Sequence, residues 1–525
     1  MNRVFRITLA VMVAAFTTPA VLGQLIDNNQ APNKAKAGIN KSLADEIGPG
    51  RGDLVTPNSS LFIINRDPFR SVRRGRQLFQ RKFTRAQGQG PANSDGTGNI
   101  MATPGIGAGL SDSCAGCHGR PRGSAGAGGD VATRPDSRDA PHLFGLGLKE
   151  MLADEITKDL RNIRAVALLQ AIKTKARVTR PLLSKGISFG SITANPDGTL
   201  DTSRVEGVNH DLRVRPFFAE GSTISIREFL VGAFRNEMGI EGADPDLLTA
   251  SSGGRVVTPS GMVLDGSTDA IEAPPLTDPG ADPDGDGVTN ELPVSLIDHM
   301  EFYLLHYFKP AVYKQTEETQ KGEKIFNQIG CASCHIPDLL IEHDRRVADV
   351  DTVYDPVRGN LNNLFATATA FLHEINDGTG FPTIKVPNGN PFLVKDIYTD
   401  LKRHDLGPAF YERNYDGTLT KQFLTRPLWG VGSTSPYGHD GRSINLTEVI
   451  LRHGGESQAS ADAFAHLSHE EQSRVLDFLN SLILFPPDDT ASNLDPGNRN
   501  AANFPQFGHG SIKLTVLFNN PSDPE

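Results

Sequence analysis

Two copies of the pattern Cys-x-x-Cys-His constrain this chain more than any other feature. They are Cys114-Ala115-Gly116-Cys117-His118 and Cys331-Ala332-Ser333-Cys334-His335. Two thiols at this spacing reach the two vinyl groups on one porphyrin edge and form thioethers. The histidine that follows reaches the iron as proximal ligand. The chain holds 4 cysteines, and the two motifs use all of them. A redox C-x-x-C pair needs no histidine after the second cysteine, and an all-cysteine zinc site would leave both histidines idle. The pattern therefore predicts two covalently bound haem c groups and leaves no cysteine for a disulfide.

The rest of the composition fits that reading. Apolar residues make up 38% of 525, and the chain carries 53 glycines and 35 prolines, so the fold is rich in loops and a buried macrocycle supplies part of the core. The formal charge is -10 with no dense Lys/Arg stripe, which argues against a nucleic-acid partner. Arg3 and Arg6 precede an apolar run from Ile7 to Phe16, the form of an export signal, with cleavage expected after Val21-Leu22-Gly23. No later segment has the length and apolarity of a membrane span. These features lead to an exported, periplasmic bacterial protein with no integral membrane segment once the signal is removed.

Along the chain, residues 24–60 read as a polar N-terminal arm. Residues 61–293 read as an N-terminal haem domain, 294–485 as a C-terminal one, and 486–525 as an irregular tail. The halves echo each other. Arg74-Gly75-Arg76-Gln77-Leu78-Phe79 precedes the first motif, and Lys321-Gly322-Glu323-Lys324-Ile325-Phe326 precedes the second. Pro141-His142-Leu143-Phe144-Gly145-Leu146-Gly147 follows the first motif and resembles Arg426-Pro427-Leu428-Trp429-Gly430-Val431-Gly432. Helices are expected over Val294–Phe308, after a capping box at Asn445/Glu448, and after another at Ser468/Glu471. His299 and His306 on the first of these read as packed or solvated side chains. Lone Trp429 reads as core.

Asp282-Pro283-Asp284-Gly285-Asp286-Gly287 sets carboxylates at positions 1, 3 and 5 and glycine at 6, the opening of a calcium loop. Pro293 takes the place of the usual closing glutamate, and Glu291, two residues earlier, is the substitute. An acidic turn is the other reading of this stretch.

Four stretches resemble the di-haem oxidoreductase (thiol oxidoreductase-like) family, which is related to bacterial di-haem cytochrome c peroxidases. They are Asp400-Leu401-Lys402-Arg403-His404-Asp405-Leu406-Gly407-Pro408, Arg426-Pro427-Leu428-Trp429-Gly430, Tyr437-Gly438-His439-Asp440-Gly441-Arg442 and Leu451-Arg452-His453-Gly454-Gly455-Glu456. The resemblance implies a mainly α chain with long loops, built as two cytochrome c-like haem domains. It implies an N-terminal haem that meets substrate and a C-terminal haem that relays electrons. It places His453 where the peroxidases have an axial methionine, as sixth ligand of the C-terminal haem, with His439 structural. It places Glu237 at their distal acid–base position. Met238 as a closing ligand remains an alternative, and His142 and His210 read as packed or solvated.

Three functions follow. One is a peroxidase-like enzyme fed by a small cytochrome or cupredoxin. The second is a pure electron-transfer cytochrome. The third is an oxidase or oxygenase of a thiol or other small oxidisable substrate.

Overall fold

The structure is a computed structural model. It describes residues 42–90, 111–119, 130–131, 138–282, 285, 287–306, 311–312, 315–354, 364–414 and 417–483. The expected signal, the arm up to residue 41, Asp284, Asp286, Phe308 and the tail from 486 lie outside the described residues. Twelve α-helices occur among the described residues. They are α1 (Leu43–Ile47), α2 (Ser60–Arg66), α3 (Pro68–Gln80), α4 (Cys114–His118), α5 (Leu146–Thr174), α6 (Ile226–Ala233), α7 (Pro245–Ser251), α8 (Val294–Leu305), α9 (Glu317–Gln328), α10 (Leu446–Arg452), α11 (Gln458–Ala465) and α12 (His469–Ser481). None of them is long and apolar enough to cross a membrane.

The expected mainly α architecture of two cytochrome c-like domains is corrected by the fold. Among the described residues helix accounts for 39% and strand for 16%, and none of them forms a clear all-helical cytochrome c-like domain. Among the described residues the strands form nine small antiparallel sheets, eight of them two-stranded. Stretches that read as loops are in fact short hairpins. Residues 178–194 show why. Lys185 and Gly186 both take left-handed φ, 48° and 80°, and close Ser184 onto Ile187. A two-residue turn of that hand matches the twist of paired strands. Most of the other strands run only two to four residues, too short to display a period of two.

The repeat seen in the sequence is real in space. Gly75 of α3 lies against α8, where an added Cβ would stand 2.2 Å from the His299 carbonyl oxygen. Gly322 of α9 lies against α12 in the same way, 1.9 Å from the Arg474 carbonyl. Later in each copy Gly147 meets the Leu305 carbonyl at 2.2 Å and Gly432 meets the Asn480 carbonyl at 2.3 Å. His299 to Leu305 and Arg474 to Asn480 are the same six-residue step. Only a residue without a side chain lets two backbones come this close. Helix α8, which begins at the sequence boundary drawn at 293/294, thus packs on α3 ahead of the first motif, as α12 packs on α9 ahead of the second.

Two of the apolar clusters carry the motifs. The larger joins α3, α5, α6 and α8 through Leu78, Met151, Ile156, Val231 and Met300. The smaller joins α9, α11 and α12 through Phe326, Phe464, Val475 and Phe478, with Tyr398. Cys114 and Ala115 rest on the first cluster, Cys331 and Ala332 on the second. The described part of the arm is tied to the larger core by Arg51, bonded to Asp246 at 2.7 Å and Asp298 at 2.7 Å. Both carboxylates also reach fully buried Arg227, so no buried charge in this group stands alone.

Candidate functional site: a cavity lined by both Cys-x-x-Cys-His motifs

The first motif is a one-turn helix. Ser113 caps α4 by accepting the Gly116 N–H, and His118 sits at the last position. The His118 Nδ1–H donates to the Pro141 carbonyl at 2.7 Å. A carbonyl can only accept, so the bond fixes the tautomer and leaves the Nε2 lone pair for a metal. Pro141 begins the echo that continues as His142-Leu143-Phe144-Gly145. Gly145, at φ 70°, then opens α5, as Gly430, at φ 77°, opens the turn after Trp429.

The second motif is oriented by a different segment. The His335 Nδ1–H donates to the Tyr398 carbonyl at 2.9 Å. That segment runs beside the motif, with the Ile397 N–H on Pro337 and the Thr399 N–H on Ile336. Asp396, Tyr398 and Leu401 all hold left-handed φ of 50–55°. Such backbone is costly for residues with a Cβ and persists where surrounding bonds over-determine it. Below His335, Phe326, Tyr398 and Phe478 form an edge-to-face trio at centroid distances of 5.4–6.1 Å.

His118 and His335, with all four cysteines, line one continuous cavity of about 470 Å³. Phe79, Phe144, Phe229, Phe410 and Trp429 are among the aromatic walls. Burial pushes the Cys114 and Cys331 thiols up to about 12, so they are neutral thiols. Reactive C-x-x-C pairs show the opposite shift. Neutral thiols, carbonyl-oriented imidazoles and a large apolar cavity together fit two covalently held macrocycles.

His453 lies on the same cavity. It caps the C-terminus of α10, with its Nδ1–H on the Val449 carbonyl at 2.7 Å. Its Nε2 is therefore also presented as a lone pair. It lies near enough to His335 to act on its titration. Burial is the larger cause, and it lowers His335 to about 4 and shifts His453 downward as well. Arg452, stacked 4.2 Å over Phe410, clamps Asp440 and so ties α10 to the Tyr437–Arg442 loop. Gly455, at φ 52°, allows a close pass: a Cβ there would sit 2.2 Å from the Asp405 carbonyl. The glycines after His453 thus serve the contact with residues 405–407. His439 stacks on Phe423 at 4.0 Å and faces Glu412, as a structural residue would.

Glu237 lines the cavity on the side of the first motif. It belongs to a single wide π-helical turn, Phe234–Met238, that continues α6. Such turns are rare and concentrate at functional sites. The turn holds the segments flanking the first motif, with the Gly90 N–H on the Met238 carbonyl and the Ser111 N–H on the Glu237 carbonyl. Burial raises the Cys117 thiol, and the nearby Glu237 carboxylate adds to that shift. Met238, 2% exposed, lines the same wall.

The other histidines are placed away from this role. His142 lines the cavity, but its Nδ1 accepts the Phe144 N–H and its ring also bonds the Trp429 backbone. His210 is exposed. His299 bonds Ser71, and His306 bonds the backbone of Phe302 and Val347.

His404 is the residue whose setting the sequence did not disclose. Its ring lies between Asp400, 2.8 Å from Nε2, and Glu456, 2.7 Å from Nδ1. Burial opposes its charge, but the Asp400 bond and nearby Cys334 outweigh that and raise it to about 11. Asp400, His404 and Cys334 offer ligand atoms within 4.8 Å of one another. With both ring nitrogens donating to carboxylates, His404 is an imidazolium and has no lone pair for a metal. The one sequence signal was the Asp-x-x-x-His spacing in the Asp400–Pro408 stretch.

Of the calcium candidates, Asp282 accepts the Gly285 N–H at 2.8 Å and the Gly287 N–H at 3.0 Å. Glu291 is buried and accepts the Glu241 N–H at 2.7 Å. Asp284 and Asp286 lie outside the described residues.

Two cysteine pairs, each followed by a carbonyl-oriented imidazole and sharing one apolar cavity, define a haem-binding protein. Residues 367–482, which contain His404, Trp429, His439 and His453, match the family described as "Di-haem oxidoreductase, putative peroxidase". No curated protein matches the chain. Among solved structures, a chain described as Kuenenia stuttgartiensis hydrazine synthase pressurized with 20 bar xenon aligns over 86% of this chain and 99% of its own. Its identity is 13% and its TM-score 0.31.

Proposed function

We propose that this chain is an exported oxidoreductase with two covalently attached haems, reducing peroxide at the first motif and taking electrons in through the second. The observation that carries this reading is that Glu237, both motifs and His453 share one cavity. When bound, the haems supply one iron open to peroxide and one for electron transfer. Cys114 and Cys117, then Cys331 and Cys334, would hold the two groups, and His118 and His335, each with Nδ1–H on a backbone carbonyl, would offer Nε2 to the irons. His453 would be the second imidazole offered to the haem of the second motif, and a histidine there would give a lower potential than a methionine. Glu237 takes the proton from the inner peroxide oxygen and returns it to the outer one. Two electrons and two protons then turn one peroxide into two waters, with a small cytochrome or cupredoxin as donor. Met238 on the same wall supports a second reading, an electron carrier closed at both irons.

The test is peroxide-dependent oxidation of a reduced donor by the mature protein, parent against Glu237→Gln, after mass spectrometry has counted two haem additions. The variant should lose ~10²–10⁴ in rate, the range for general acid–base catalysis, with haem content unchanged. An equally active variant removes Glu237 from the mechanism. An inactive parent with both haems low-spin in each redox state supports the carrier. Turnover of a thiol or organic substrate without peroxide supports the oxidase.

A further inference from the structure

His404 has no part in the chemistry above, yet it and Glu456 line the cavity beside the second motif. It is the middle residue of a short strand, Arg403–Asp405, and pairs with Phe423 of the strand alongside. Its two ring nitrogens donate to carboxylates of different segments, Nε2 to Asp400 and Nδ1 to Glu456. Asp400 follows Tyr398 by two residues, and the Tyr398 carbonyl is the group that orients His335. Asp400 is buried, and its other oxygen accepts the Lys402 N–H at 2.9 Å, so the carboxylate is fixed in the turn beside the motif. Glu456 follows His453 by three residues, and its other oxygen accepts the Asp405 N–H at 2.9 Å. The backbone closes the same gap, with the Gly454 N–H on the Leu406 carbonyl at 3.0 Å. Of the seven residues of α10, Leu446 is the one buried, so ties at the end of the helix bear on where His453 stands. Hydrogen bonds between charged groups are stronger than neutral ones, and His404 makes two of them.

The geometry points to His404 as a positioning residue for the second motif site. It ties the segment that orients His335 to the segment that carries His453, and so sets the spacing between the two imidazoles. This deepens the function proposed above and rests on it for the role of His453 as a ligand. Two imidazoles can close one iron only at a fixed spacing. The tie therefore keeps the second site shut to outside ligands, and loosening it lets one in. The first motif has no share in the tie and stays as it is.

The experiment compares the mature holoprotein with His404→Gln and Glu456→Ala. A glutamine amide donates from one end only, so His404→Gln cannot bond both carboxylates. Glu456→Ala breaks the tie from the other side, and because the Glu456 side chain is 51% exposed, that change spares the fold. Hydrogen exchange of the Gly454 N–H should be roughly ten- to hundredfold faster in both variants, the scale for losing a bond to a charged group, while the amides of α8 exchange as before. The reduced variants should each bind one more carbon monoxide per chain than the parent, at the second motif, with haem content and the spectrum of the first haem unchanged. Unchanged exchange at Gly454 overturns the tie. Faster exchange with no added carbon monoxide, where His453→Ala does add one, overturns the positioning role. If His453→Ala adds none either, the ligation proposed above fails, and exchange at Gly454 alone decides the tie.

Discussion

The glycine contacts make a prediction whose sign differs from the ordinary one. A glycine within a helix costs about 0.5–1 kcal/mol relative to alanine, so Gly→Ala there should stabilise. Gly232 tests that baseline: it lies in α6, and an added Cβ would meet nothing within 4 Å. Gly322 should behave oppositely. Its Cβ would stand 1.9 Å from the Arg474 carbonyl oxygen, whereas real contacts hold at least 3.0 Å, so α9 and α12 would have to part by about 1.1 Å (3.0 less 1.9). The obstacle is backbone and cannot rotate aside. Overpacking of this kind costs about 1–3 kcal/mol, and the fixed obstacle puts Gly322→Ala at the upper end. Less the propensity gain, the net loss is about 2 kcal/mol. Phe478, one turn on from Arg474, would lose its fit against Phe326 and Tyr398 beneath His335. Denaturant midpoints of the holoprotein, read by the haem Soret band and by far-UV dichroism, are the measure. Gly232→Ala should rise and Gly322→Ala should fall. A Gly322→Ala protein as stable as Gly232→Ala would refute the close approach and, with it, the shared register of the two helix pairs.

Three further outcomes follow from the site. His453→Ala should convert one haem from low to high spin and leave the other unchanged, so a variant with the parent's spectrum would make His453 only a helix cap. His404 should make stability fall with rising pH. Against burial, which lowers it, Asp400 holds its folded value above its ordinary 6.5, so its contribution is complete below 6.5 and is lost as pH climbs through that raised folded value. Asp400, Glu456, Cys334 and His335 are the groups around it. Denaturation midpoints across that window should drop more steeply for the parent than for His404→Gln, and equal slopes would count against the imidazolium. Calcium at the Asp282 loop, if bound only by the folded chain, should raise the melting temperature. A chelator that leaves it unmoved would reduce the loop to the acidic turn of Asp282 and its glycines.

What was legible in the sequence was whatever depends on neighbours along the chain. The two Cys-x-x-Cys-His motifs are read from spacing alone. So is the start of α12, where Ser468 and Glu471 cap each other as their order predicts. At α10 the reading was half complete: Asn445 accepts the Glu448 N–H, but Glu448 reaches back to Ile444. Most hairpins have strands of two to four residues, which carry too little period, but Val178–Ser184 and Ile187–Ala194 are longer and Lys185-Gly186 between them is a turn signal in plain view.

The echo of Gly75 with Gly322 was visible, but its reason was not, because each glycine answers to a carbonyl more than 150 residues away. Long-range approach decided the chemistry of the site in the same way. No spacing places the Tyr398 carbonyl under His335 or Glu456 on His404. A sequence lists the groups able to bond, and which of them meet is settled when helices and loops close on a shared core. The sequence by itself thus determined that the chain holds two thiol pairs with a following imidazole. Only the tertiary structure decided that both open on one cavity, because that depends on how the segments after each motif fold back across the other half.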